Sequence, residues 1–122
     1  MSLVVIHNIL SRAVLYFAIL IALWTLFQYL RRDELGGNYW GALVIGEGLI
    51  VVQALVGVIM WIQGLLPARL IHFLYGAVAL LTWPAIFATT KGETGRRETL
   101  YWLLASAFLA GIAWRAISTG TP

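Results

Sequence analysis

Residues 3–30 read LVVIHNILSRAVLYFAILIALWTLFQYL, and RRDE follows at Arg31–Glu34. The run is long enough to cross a bilayer, which needs about 20 mostly apolar residues. It ends at a block of charge. The run lacks a basic leader segment before it, so it reads as a retained membrane span rather than a cleavable signal peptide.

Three more runs of the same kind follow. The second extends over about residues 39–62, and Gln63, Gly64 and Pro67 mark a turn after it, because proline cannot continue a helix that precedes it. The third extends over about 68–90, with Pro84 as an expected kink. The fourth extends over about 98–118. The connections 31–38, 63–67 and 91–97 are short, so consecutive helices are expected as antiparallel neighbours. The fold expected is all-α: an integral membrane four-helix bundle running up-down-up-down, with no second domain and no internal repeat.

Composition supports the same class. Hydrophobic residues make up 61% of the 122 and charged residues 11%, with a mean hydropathy of +0.90. A soluble domain carries about a quarter charged residues, so this chain needs membrane lipid around it. The absence of cysteine excludes disulfides, thiolate metal sites, iron–sulfur clusters and covalent c-type haem attachment. The net charge of +3 does not point to nucleic acid, since the basic residues cluster at span ends. Arg31, Arg32, Lys91, Arg96 and Arg97 lie in the first and third loops and outnumber Arg12, Arg69 and Arg115 on the other side. The positive-inside rule therefore puts loops 31–38 and 91–97 in the cytoplasm and both termini outside. Trp40, Trp61, Trp102 and Trp114 read as an interfacial aromatic belt.

Hydrolytic chemistry is unsupported: there is no Ser/His/Asp set, HExxH or phosphate loop. The chemistry-bearing residues are two histidines, His7 near the start of span 1 and His72 near the start of span 3. In an up-down bundle these spans run the same way and sit on a diagonal. Both imidazoles then lie toward the outer face, and two inward rings could hold one metal between them. A haem iron is the natural candidate, because imidazole suits iron and a flat apolar macrocycle suits a bundle interior. Gly76, one turn past His72, could open room for a ring edge. Counted from the inner loops, however, the histidines differ by five residues, about 7 Å in height. Taken one at a time, each is an ordinary interfacial side chain.

Arg12, Arg69 and Arg115 share the histidine-bearing half and could pair with haem propionates, since the guanidinium fork matches a carboxylate. Snorkelling to lipid headgroups is the blander reading of each. Glu47, between Gly46 and Gly48, lies inside span 2, with Gln53 near mid-span. An intramembrane carboxyl is costly unless paired or protonated. Two readings stay open for the pair: a proton or quinone site, or a structural hydrogen bond from Glu47 to Thr25 or Tyr101.

Histidines on parallel spans, a following glycine and arginines on the same side resemble small four-helix transmembrane cytochromes of the b type. The half-bundles of haem A synthases and the cytochrome b561 group share this general plan. The resemblance implies haem b, ligation by His7 and His72, propionate contacts from Arg12, Arg69 and Arg115, and electron transfer in a bacterial or archaeal plasma membrane. Its partners would be a quinone, other membrane redox subunits or a second copy of the chain. The b561 group uses four histidines for two haems, whereas two histidines allow one haem here. Two other functions fit the same residues. One is a non-catalytic small membrane subunit or assembly factor whose histidines are incidental. The other is a (bacterio)chlorophyll-binding protein in which each histidine ligates its own magnesium.

Overall fold

Hydrocarbon offers the backbone no hydrogen bonds, so each apolar run satisfies its own peptide groups as a helix. The computed structural model describes residues 2–120 and contains α1 (Leu3–Arg31), α2 (Gly37–Ile62), α3 (Ile71–Thr90) and α4 (Arg96–Gly120). All four are long and apolar enough to cross a membrane. The shortest, α3, has 20 residues, and at 1.5 Å per residue it just covers a hydrocarbon core of about 30 Å.

The ends follow local chemistry. Ser2 caps α1, its hydroxyl accepting from the Val5 amide at 3.3 Å. Arg32 closes α1 in the left-handed region at φ 58°, and Lys91 closes α3 the same way at φ 55°. The start of α3 differs from expectation: it begins at Ile71, not near residue 68. The Arg69 amide is spent on Thr119 O of α4 at 3.0 Å, and the chain enters the helix through a tight turn from His72 N to Arg69 O. Pro84 sits inside α3, which continues through it.

Each helix packs on the two others beside it: α1 on α2 and α4, and α3 on the same two. The helices therefore stand in a square with α1 opposite α3 and α2 opposite α4. Side chains such as Leu20, Leu23, Val44, Ile45, Leu81 and Leu104 face outward, as lipid allows. The interior holds smaller and polar residues, among them Ala18, Thr25, Thr99 and Ser106.

The bundle also contains a repeat that the sequence did not reveal. In α1 and α3, equivalent positions stand 65 residues apart: His7/His72, Ser11/Gly76, Val14/Ala79, Ala18/Trp83 and Thr25/Thr90. In α2 and α4 they stand 63 apart: Tyr39/Trp102, Leu43/Ser106, Gly46/Leu109, Ile50/Ala113, Gln53/Ala116 and Gly57/Gly120. Val14/Ala79, Ala18/Trp83, Thr25/Thr90 and the first four α2/α4 pairs are buried on both sides. The hairpin α1–α2 and the hairpin α3–α4 thus form two like halves about an axis along the bundle. One seam breaks the likeness. Contact between α2 and α3 is sparser than between their counterparts α4 and α1.

The half nearest the 32–36 and 91–95 connections is closed by aromatic rings. Tyr39 meets Trp24 edge-on at 5.3 Å between centroids, and Trp40 meets Trp102 at 5.4 Å. This corrects the reading of four tryptophans as a belt. Trp102 is 1% exposed and Trp40 packs against the core. Trp61 and Trp114 remain on the outside. Burial won because Trp102 falls on the same face of α4 as Leu109 and Ala113.

Candidate functional site

The half of the bundle nearest the start of α1 and the end of α4 is hollow. A cavity of about 340 Å³ lies between the helices, within the roughly 300–1,000 Å³ typical of small-molecule and cofactor sites. Its walls are mostly apolar, and its polar groups are His7, Ser11, Gln53 and His72. All four helices contribute, and several walls are like pairs from the two halves: His7/His72, Ser11/Gly76, Val14/Ala79, Ile50/Ala113, Gln53/Ala116 and Gly57/Gly120. The cavity extends outward to the 65–67 connection, beside the loosely packed α2–α3 seam.

The two histidines, from diagonal helices, meet across this space. Their ring centroids are 6.1 Å apart and their planes 73° apart. The five-residue height difference is taken up at the opposite end. Thr25 is level with Thr90 in the paired halves, and α1 then runs on to Arg31 while α3 stops. Arg96 fastens that overhang, donating to Tyr29 O at 2.7 Å while its guanidinium stacks on the Tyr29 ring.

The His72 imidazole is held by the neighbouring helix of its own hairpin. His72 Nδ1 lies 2.8 Å from Ala116 O. A carbonyl only accepts, so Nδ1 carries the proton and Nε2 keeps its lone pair. No Nε2 hydrogen bond is made by either ring among the described residues. The glycine one turn after Ala116 lets the His72 ring seat: a Cβ on Gly120 would stand 2.7 Å from His72 Cε1. Gly57 plays the same part for His7, at 3.3 Å from its Cε1. The sequence named neither glycine as a ring seat, since only the packing of the halves brings them to the rings. Gly76 faces open space, and a Cβ added there would have nothing within 4 Å.

The expected arginines stay out of the cavity. Arg12, Arg69 and Arg115 are exposed, and none lines the wall. Arg115 instead lies over the Tyr75 ring at 6.0 Å. Glu47 and Gln53 are separated: Gln53 lines the cavity and Glu47 does not. Thr25 is not the partner of Glu47. It donates to Ile21 O at 2.6 Å and shares a 2.6 Å hydrogen bond with the Tyr39 hydroxyl. Tyr101 makes no hydrogen bond to Glu47 either, and Glu47 Oε1 is buried without a partner.

Chemically, the pair offers a bare metal ion too little. Among the described residues no group of three or more His, Cys, Asp or Glu side chains comes together, whereas a protein-only zinc site takes three or four ligands. A metal already held in a planar macrocycle needs only axial ligands. A metal–imidazole bond is about 2 Å and the ring centroid lies about 1 Å behind the nitrogen, so two rings on opposite faces of one metal stand about 6 Å apart. The observed 6.1 Å matches that spacing, and it is also the spacing of an ordinary edge-on ring contact. No protein-family model, curated protein or solved structure matches the chain.

Proposed function

We propose that this chain is a membrane cytochrome of the b type that holds one haem between His7 and His72. The observation that carries the reading is the imidazole pair itself. Two half-buried rings from diagonal spans face one cavity at 6.1 Å, with their Nε2 atoms free of hydrogen bonds. Histidines with only a structural role in an apolar bundle would be expected to satisfy their ring nitrogens with neighbours.

The chain's residues supply what such a site needs. Ala116 O orients His72 for ligation through Nε2, the arrangement by which an outer partner fixes a ligating imidazole. Gly57 and Gly120 let the rings sit against their backbones. Val14, Ile50, Ala79 and Leu80 line the space with apolar atoms. When bound, the haem supplies a reversible one-electron iron couple. The outer position of the site suits exchange with a membrane quinone or a second redox subunit, with loops 31–38 and 91–97 in the cytoplasm. No arginine lines the cavity to pair with the propionates. A single shared cavity of about 340 Å³ disfavours separate pigments on the two histidines.

The test is a reduced-minus-oxidised absorption spectrum of the purified protein expressed with ample haem. A low-spin b-type signal in the parent chain, lost in His7→Ala and in His72→Ala, is the expected result. A colourless parent chain contradicts the proposal, and a magnesium-pigment spectrum replaces it with the chlorophyll reading.

A further inference from the structure

The two halves of the bundle treat their histidines alike except at one atom. On α4, Ala116 and Gly120 serve His72: the first through its carbonyl, the second by leaving room for the ring. On α2 the equivalent pair is Gln53 and Gly57. Gly57 leaves room for the His7 ring, as its counterpart does for His72. Gln53 differs from Ala116 in having an oxygen on its side chain.

Gln53 Nε2 donates to the His7 carbonyl at 2.9 Å. Because that carbonyl can only accept, the amino end of the amide is fixed there, and Oε1 is the other end. Gln53 Oε1 and His7 Nδ1 are both buried, and neither has a hydrogen-bond partner among the described residues. One is an acceptor and the other can donate. Two complementary polar atoms, left unpaired at a cost of about 1–3 kcal/mol each, strongly favour joining by a small turn of the amide.

Resting on the haem reading, we infer that Gln53 is the positioning residue of His7. Its side chain clasps the histidine twice, at the backbone carbonyl and at Nδ1–H. It thereby directs Nε2 to the metal, as Ala116 O does for His72. The side-chain acceptor makes His7 the adjustable ligand of the pair, whereas the backbone acceptor of His72 cannot be changed by substitution. Such outer partners typically alter metal affinity by about 10–100-fold when removed.

Two measurements test this. The first uses the parent chain without haem. Imidazole ¹⁵N NMR is expected to show His7 protonated at Nδ1, and Gln53→Leu is expected to mix its tautomers while leaving His72 unchanged. A parent chain with His7 protonated at Nε2 overturns the inference, whether or not haem binds. The second is a redox titration of the haem-loaded protein. Gln53→Glu, a stronger acceptor, is expected to lower the midpoint potential by making the imidazole more electron-rich. Gln53→Leu is expected to raise it and to weaken haem binding roughly tenfold or more. Identical potentials in parent and both variants overturn the inference while leaving the haem reading intact. A parent chain that shows the His7–Gln53 tautomer but takes up no haem sinks the haem reading alone.

Discussion

At the residue scale, glycine placement decides what the imidazoles can do. A Cβ at Gly120 would come within 2.7 Å of His72 Cε1, closer than real Cβ contacts, and the opposing atom belongs to the imidazole ring. At Gly57 the approach to His7 is 3.3 Å, which a small ring shift relieves. Gly120→Ala is therefore expected to displace His72 and abolish six-coordinate haem, and Gly57→Ala to reduce haem content without abolishing it. Haem-to-protein ratios in the purified variants measure the difference. Gly76 offers the complementary case, since its face is empty. Gly76→Val should leave the thermal stability of the haem-free protein nearly unchanged while lowering its haem uptake, read by titrating haem into both proteins. The two histidines and Gly76 were legible in the sequence because rare polar residues and glycines stand out in an apolar run. Gln53's service to His7 was not, because nothing in a linear order tells which carbonyl or ring a mid-span amide will meet. The arginines misled for a related reason: being on the right side of the membrane does not make a long, flexible side chain turn inward.

At the scale of elements, the half away from the cavity is a packed stop beneath it. A Cβ on Gly46 would lie 2.6 Å from both Phe17 and Trp83, so α2 meets α1 and α3 there with no slack. Gly46→Ala is expected to destabilise the bundle by about 1–3 kcal/mol, the usual cost of overpacking, seen as a lower unfolding midpoint in detergent. Beside it, Trp83 Nε1 donates to Ser106 Oγ at 3.1 Å, and Tyr39 and Thr25 share their 2.6 Å bond. Tyr39→Phe should cost about 0.6–1.7 kcal/mol, the range for interhelical hydrogen bonds in membranes. The four helices themselves were legible from run length alone. Their relation as two like halves was not, because the pairs share burial rather than identity. Ala18 answers Trp83, and Gly46 answers Leu109, so small in one half is balanced by large in the other. The same hidden pairing placed Trp102 in the core rather than at the interface.

At the scale of the whole molecule, the square of helices brings α1 and α3 face to face on a diagonal, and their equal direction puts both rings in one half. The uneven inner ends of α1 and α3 reconcile sequence positions that counting alone set about 7 Å apart. The basic loops give the expectation that the site faces the outer side of the membrane. The chain lacks cysteine, so single cysteines report topology cleanly. Gln63→Cys is expected to react with a membrane-impermeant maleimide on intact cells, and Glu34→Cys only after the membrane is opened. The reverse pattern would move the site to the cytoplasmic side without altering its geometry. The central claim, one metal disc shared by two histidines, is tested most directly by haem per polypeptide in the purified protein and in each single-histidine variant. One haem per chain, with six-coordinate binding lost on either substitution, is the expected result. No haem, two haems, or a six-coordinate haem that survives the loss of His7 or His72 would contradict it.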